Sequence, residues 1–366
     1  MVGFTLRKSS VCSDVRVHSD INALPRELRL ALTVGVFDGV HRGHGALLAA
    51  TVRAARGYDA EPVVITFDAH PDLALHGAAP SLLCDPAERL ALLAEIGVSH
   101  LVVQHFDHRF ALQTAEEFLH RVRRGRQLAV LVMAMGSAIG HGRAGTPEAV
   151  AALGAREGFG VEIVPTLELA GDRVSASRIR DLLATGRLAA ARNLLGRRPA
   201  VVGRVVEGAS RGRDLGFRTA NLAFDEPVAL PPDGIYAVEA SWDEEQAAWG
   251  GPNPLSPRRR AGGVASLGVR PTFDVAGERL LEVHLFDIGE DLYGIRLRVE
   301  WVRRLRAERR FESAAALIAQ MTRDASRARA IVGGSAERAL PSSGRSARWG
   351  GLPVQGAPVT LPRLTK

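Results

Sequence analysis

The hydrophobic pattern changes period part-way along the chain, and no other feature limits the possible folds as tightly. Up to about Leu195, short apolar runs alternate with stretches of helical spacing. Leu30–Val36, Pro62–Phe67, Leu101–Gln104 and Ala129–Met133 have the nearly unbroken apolar character of buried strands. Between them Gly45–Arg56, Pro86–Glu95 and Ala115–Arg124 are spaced as helices, with Leu48, Val52 and Ala55 on one face of the first. This alternation predicts an α/β domain, a parallel sheet with helices on both sides, whose ligands gather at the carboxyl ends of the strands.

After Arg198 the period becomes two. Gly234–Ala240, Leu280–Phe286 and Arg296–Trp301 alternate; in the last, Leu297, Val299 and Trp301 face one way and Arg296, Arg298 and Glu300 the other. Turns rich in Gly, Pro and Asp separate these runs, which predicts a small antiparallel barrel or sandwich. A helix striped by Phe311, Ala314, Ile318 and Met321 should close it. The Pro- and Arg-rich stretch Glu244–Arg260 is expected to be a long mobile loop, and Gly333–Lys366, with no period, a disordered tail. The expected organisation is therefore 14–190, 197–325 and a tail from 333.

Composition narrows the chemistry. A chain of 366 residues with 46% hydrophobic content is long enough for two domains with real cores. No apolar run approaches the ~18 residues of a membrane span, and Met1–Ser10 has no signal-peptide core. Cys12 and Cys84 are too few for a disulfide framework or a zinc knuckle. These features predict a reduced, cytoplasmic enzyme with no membrane partner. The net charge is +7, yet Lys8 and Lys366 are the only lysines and neither sits in the G-x-x-x-x-G-K of a P-loop. Phosphates must then be handled by backbone N–H groups, helix N-termini and arginine. Aromatic residues make up 5% and do not interleave with a basic stripe, so no nucleic-acid partner is expected.

Two stretches carry candidate chemistry in the first half. Gly35-Val36-Phe37-Asp38-Gly39-Val40-His41-Arg42-Gly43-His44 runs from a strand end into a helix, with two histidines flanking a glycine at the helix start. A helix N-terminus favours an anion, and imidazoles three residues apart can donate to phosphate oxygens as charge builds on them. Zinc fits less well, because no third ligand lies at metal-site spacing. Val174-Ser175-Ala176-Ser177-Arg178 could cap a helix and hold outer phosphates; alone, it is equally an ordinary capped helix.

In the second half, Gly203–Phe217 is a Gly/Ser/Arg loop able to wrap polyphosphate with its N–H groups. Thr219 and Asn221 follow, two apart and so on one strand face, oxygen ligands of the kind that suits Mg²⁺. Glu282 and His284 share one face of a later strand. A carboxylate there, projecting into a barrel mouth, could accept a hydroxyl proton; taken alone, the two are simply the polar side of an amphipathic strand.

Taken together these blocks resemble the prokaryotic bifunctional riboflavin kinase/FMN adenylyltransferase (FAD synthetase) family, from about Leu30 to Arg323. Gly35–His44, Thr66-Phe67-Asp68-Ala69-His70-Pro71 and Ser175–Arg180 are similar to its adenylyltransferase module, a nucleotidyltransferase-type α/β fold without a P-loop. Arg204–Asn221, Gly268–Phe273, Leu281–Asp287, Asp291–Gly294 and Leu305–Phe311 resemble its riboflavin kinase module in sequence and in order, which implies a small antiparallel β-barrel for this half. The resemblance implies ATP-dependent phosphorylation of riboflavin to FMN, with ATP as co-substrate and Mg²⁺ as cofactor, and conversion of FMN to FAD by the first module. It implies an ATP site at Gly35, Phe37, Asp38, His41, Gly43 and His44, closed by Ser175, Ser177 and Arg178. In the kinase it implies Gly208, Ser210, Arg211, Gly212, Leu215 and Gly216 over the ATP phosphates, Mg²⁺ on Thr219 and Asn221, Glu282 as general base, and Arg306, in the last helix, near the flavin.

Three departures stand out. Where the family carries Gly-x-(Asp/Asn)-Phe-x-Phe-Gly, this chain has Ala134-Met135-Gly136-Ser137-Ala138-Ile139-Gly140, without the polar anchor or either ring. Each loss is worth ~1–3 kcal/mol of binding, so reduced adenylyltransferase activity is expected. Ala69 replaces a usual proline, a milder change. Arg218 replaces the proline before Thr-Ala-Asn, which costs ~0.4–1 kcal/mol of preorganisation and leaves the kinase working. Other readings are a fully bifunctional enzyme, a transferase for a modified flavin, and a non-catalytic flavin- or nucleotide-binding regulator.

Overall fold

The computed structural model describes residues 4–6, 15–208, 217–243, 259–269, 279–336 and 359–360. They form two compact units that divide at Ser175/Ala176, earlier than the boundary near 190–197 expected from the sequence. The segment Ser81–Asp85 also belongs to the second unit.

The first unit is built on a sheet of eight strands: β1 (Phe4–Leu6), β2 (Val15–His18), β3 (Arg29–Val34), β4 (Glu61–Phe67), β5 (His100–Gln104), β6 (Gln127–Ala134), β7 (Gly160–Val164) and β16 (Val359–Thr360). Their order is β1-β2-β5-β4-β3-β6-β7-β16, the six strands β2 to β7 parallel and the two edge strands antiparallel. A separate two-stranded ribbon, β8 (Glu168–Leu169) and β9 (Asp172–Arg173), follows β7. Six consecutive residues of β6 are buried, the mark of a strand covered on both faces. The helices of this unit are α1 (Arg42–Gly57), α2 (Pro71–His76), α3 (Pro86–Glu95), α4 (His108–Ala111), α5 (Ala115–Arg123) and α6 (Pro147–Glu157). Leu32, Ile65, Val102, Leu131 and Met133 form the sheet side of the core, against Phe118 and Leu119 from α5 and Val150 from α6. Helix α1 buries Leu47, Leu48, Thr51, Ala54 and Ala55, with Val52 at the edge of that stripe. Successive strands run β3, β4, β5 toward one edge, and the chain then crosses to place β6 on the other side of β3. Such a reversal opens a crevice at the carboxyl ends of the two strands where it occurs, here β3 and β6.

Near the β2 edge lies a buried histidine pair. His18 Nε2 and His100 Nδ1 share a hydrogen bond of 2.9 Å, and both residues are under 10% exposed. Burial, with repulsion from His18, pushes His100 down to about 4; burial also lowers His18, and Glu61, Arg16 and Arg126 supply the neighbouring charges. The pair is neutral in the fold, while the unfolded chain takes up protons below about 6.5. Stability is therefore complete above pH 6.5 and falls as pH drops from 6.5 toward 4. The depressed His100 value accounts for a loss on the order of 3 kcal/mol. Thermal melting from pH 7.5 to 4.5 checks this: a His18→Asn, His100→Asn double variant should show a flatter profile than the parent, whatever its absolute stability.

The second unit is a closed barrel of β10 (Ala200–Val206), β11 (Ala220–Ala223), β14 (Arg279–Leu285), β13 (Arg259–Val269), β12 (Gly234–Trp242) and β15 (Arg296–Arg306), every pair antiparallel. Leu297, Val299 and Trp301 point inward as their alternation predicts, Trp301 meeting Tyr236 edge to face at 5.0 Å. Register shifts between β12 and β15 bend those strands toward closure. Arg259 and Arg260 begin β13 instead of belonging to a loop; residues 244–258 lie outside the described residues. Two short helices, α7 (Ala176–Ala184) and α8 (Leu188–Leu195), belong to this unit.

Helix α9 (Ala314–Ala336) packs on the barrel, but not by the expected stripe. Ala314 and Ile318 face solvent, and Ala325, Ala328, Ile331 and Val332 pack against Ile235, Ala237, Phe286 and Leu305. The polar anchor for this face is Asp324, 5% exposed, which the sequence pattern could not assign to a packed side. The helix also continues past Gly333 to Ala336, and Val359–Thr360 pair with β7; the rest of the expected tail lies outside the described residues. No helix among the described residues is long and apolar enough to cross a membrane.

Candidate functional sites

At the carboxyl end of β3, on the β3/β6 crevice, the chain makes a tight turn before α1. Phe37 and Val40 take the left-handed region at φ 53° and 35°, with Gly39 between them at 71°. A buried ring and a β-branched residue held there mark a strained turn, of the sort that persists at ligand sites. His41 caps α1, its Nδ1 accepting the His44 N–H at 3.2 Å, and the two imidazoles stack with centroids 3.6 Å apart. Phe37 meets His44 edge-on at 5.2 Å. Gly35, Phe37, Asp38, His41, Gly43 and His44 are thus brought onto one turn. A Cβ at Gly43 would come within 3.3 Å of both the His41 ring and the Val174 carbonyl, so the chain just before Ser175 reaches this turn. Ser177 and Arg178 lie in the first turn of α7, in the second unit.

The turn has a buried support that the sequence does not advertise. In α3, Arg89 is 5% exposed and donates to the Val36 carbonyl at 3.3 Å and the Phe67 carbonyl at 2.6 Å. Thr66 Oγ1 donates to the same Val36 oxygen at 3.2 Å. The only available signal was a charged residue inside an apolar helix. Asp68 fastens the neighbouring strand ends: Oδ1 accepts from the Ala69 and Phe106 N–H groups, and Oδ2 lies 2.6 Å from His105 Nδ1. That hydrogen bond raises exposed His105 above its usual range.

In the barrel, Asn221 on β11 stands directly opposite Glu282 on β14, with Ser266 opposite Glu282 on its other side. Directly opposed residues share a face, and Leu281, Val283 and Leu285 fill the interior. Glu282 therefore sits in a row on the outer wall, not in the barrel mouth. Asn221 is 6% exposed and its Oδ1 has no hydrogen-bond partner among the described residues, a buried oxygen suited to a cation. Thr219 lines an open cleft whose walls include Val205, Ala220, Val283, Leu292 and Tyr293; neither Asn221 nor Glu282 is among its lining residues. A Cβ on Gly208 would lie 2.1 Å from Asn221 Nδ2. Gly208→Ala is therefore expected to displace the Asn221 amide and weaken the binding of any cation at its Oδ1. Titration of the parent and the variant with a divalent cation checks this. Ser210, Arg211, Gly212, Leu215 and Gly216 lie outside the described residues.

With two such sites on two folds, the chain can be set beside known proteins. A family model described as Riboflavin kinase matches residues 195–332, and one described as FAD synthetase matches 25–178. The chain is 38% identical over 323 residues to the bifunctional riboflavin kinase/FMN adenylyltransferase of Escherichia coli (strain K12), covering 87% of this chain and 97% of that protein. The chain belongs to this family. The protein of the same description from Pseudomonas fluorescens is 34% identical with the same coverage, and that of Bacillus subtilis (strain 168) is 29% identical over 81% of this chain and 91% of that one. A solved structure described as a macrolide-efflux protein from Streptococcus pneumoniae superposes with a TM-score of 0.71 at 30% identity, over 84% of this chain and 96% of that one.

Within this bifunctional family, the chain's altered loop lies at the carboxyl end of β6, on the same crevice as the histidine turn. Gly136 adopts φ +75°, and a Cβ added there would meet nothing within 4 Å; Met135 beside it is 52% exposed. Ser137 folds back, its Oγ donating to the Ala134 carbonyl at 2.7 Å. Ile139 pairs with Gly145 and packs against the core of this unit. The loop is fastened, since the His141 N–H donates to the Gln113 carbonyl at 2.7 Å. Arg306 is the last residue of β15 and not part of the final helix; its Nε and Nη2 hold Asp324 Oδ2 at 2.9 and 2.8 Å.

Proposed function

We propose that the barrel phosphorylates riboflavin to FMN and that the α/β unit converts FMN to FAD more slowly, both with ATP. The opposed Asn221–Glu282 pair, with Thr219 two residues before Asn221, carries the first part. Glu282 accepts the proton of the ribityl 5′-hydroxyl as that oxygen attacks the γ-phosphorus of ATP, and ADP leaves. Thr219 and Asn221 would hold Mg²⁺, which, when bound, neutralises charge on the phosphate oxygens. The mixed apolar cleft suits the adenosine of ATP, with Gly208 on the phosphate side. Arg306 serves the flavin side indirectly, by fixing α9 through Asp324.

In the α/β unit, His41 and His44 at the start of α1 steady the ATP phosphates while the FMN phosphate displaces pyrophosphate from the α-phosphorus. Gly35, Phe37, Asp38 and Gly43 shape that turn, and Ser175, next to the Val174 carbonyl that reaches it, supplies an outer-phosphate contact. The open space at Gly136 and the inward fold of Ser137 support the slower second step, because these two residues put neither a carboxylate nor a ring into that space. Following labelled γ-phosphate tests the assignment: label must pass from ATP to FMN, and its absence from FMN would refute the kinase reading.

A further inference from the structure

The outer wall of the barrel cleft is the segment Asp287–Tyr293, which follows β14 and supplies Ile288, Glu290, Asp291, Leu292 and Tyr293 to the lining. Very little packing holds it: of these five only Leu292 is buried, and Tyr293 is 51% exposed. Its tethers are largely arginines. Arg329 on α9 grips Asp287 with two hydrogen bonds of 2.7 and 2.9 Å, at a residue held in the left-handed region at φ 61°. Arg259 on β13 pairs with Glu290. Arg218 Nη1 donates to the Gly289 carbonyl at 2.6 Å. The far end is fixed where the Gly294 N–H donates to the Val205 carbonyl at 2.8 Å.

Arg218 is the residue that joins this wall to the rest of the site. It immediately precedes Thr219, lines the cleft itself, and has its own carbonyl held by His284 Nδ1 at 2.8 Å. Phe217 packs edge-on against the same His284 ring at 5.1 Å. Proline would fix φ at this position but carries no donor. Arginine gives up that restriction and supplies a side-chain tether across the cleft instead.

We infer that Arg218 is a positioning residue for the kinase reaction: by bonding the Gly289 carbonyl, together with the Arg259 and Arg329 tethers, it holds Asp287–Tyr293 as the outer wall of the nucleotide cleft. The inference rests on the assignment of that cleft to ATP. Removing one exposed charge-assisted hydrogen bond loosens the wall without touching the groups that move protons or phosphate. The effect belongs in nucleotide binding, at about three- to tenfold.

The test uses the full chain and its Arg218→Met and Arg218→Lys variants. Arg218→Met should raise KM for ATP by about three- to tenfold, leave kcat and KM for riboflavin within about twofold, and speed amide exchange across residues 288–293. Arg218→Lys, which keeps a donor, should fall between. ADP with Mg²⁺ should slow exchange across 288–293 in the unmodified chain. Failure of that protection overturns the assignment of the cleft and this inference with it. Protection by ADP combined with unchanged KM and exchange in Arg218→Met overturns the tether alone.

Discussion

Glu282→Gln is expected to lower FMN formation by about 10²–10⁴ while leaving riboflavin binding within a few-fold, the typical cost of removing a general base. Gln keeps the size and one acceptor oxygen of Glu but cannot take the ribityl proton at neutral pH. The residue is half-buried on the outer face of β14, between Asn221 and Ser266, so the change removes no core contact. Melting temperature should accordingly stay within a few degrees, and conversion of supplied FMN by the other unit serves as a control for folding. Stopped-flow or discontinuous assay of FMN at saturating ATP and riboflavin reads the effect. Undiminished FMN formation in this variant would remove Glu282 from the mechanism and leave the row Asn221–Glu282–Ser266 as a polar strand face.

The second large effect is a gain. Restoring the anchor and one ring with Gly136→Asp and Ser137→Phe should raise kcat/KM for FMN adenylylation by about tenfold or more, since each contact is worth ~1–3 kcal/mol. The structure separates these two positions from the third. Gly136 has open space, and its φ of +75° is one that Asp and Asn tolerate better than most residues. Ser137 is only partly buried, whereas Ile139 is already packed against the core cluster. A ring at 139 must displace that packing, so it is left out of the test. Chromatographic measurement of FAD made from FMN and ATP decides the matter. An unchanged rate with unchanged FMN affinity would show that this loop does not limit the reaction.

The strands and most helices were legible because each buries a face whose period is fixed by backbone geometry: β6 and α3 differ from expectation by at most a few residues. Period-two strands alone fit a sandwich as well as a barrel, which differ in register; the family resemblance pointed to the barrel, and the sheet closes, with register shifts between β12 and β15. The face of α9 was misassigned because its packed side contains Asp324, whose charge is matched by Arg306 from a strand eighteen residues earlier. The same blindness applies to Arg89, a buried cation whose partners are carbonyls on two other strand ends. The turn from Gly35 to His44 is local, so its spacing already carries its geometry, and Asn221 stands opposite Glu282 because strand pairing brings one motif opposite another.

The most direct test of the whole account is a time course with purified protein, riboflavin, ATP and Mg²⁺, in which FMN and FAD are separated and measured independently. FMN should appear first and accumulate to nearly the riboflavin supplied, with FAD following at a much lower rate. No FMN at any time would contradict the kinase assignment, and FAD formed as fast as FMN would contradict the weakened second step.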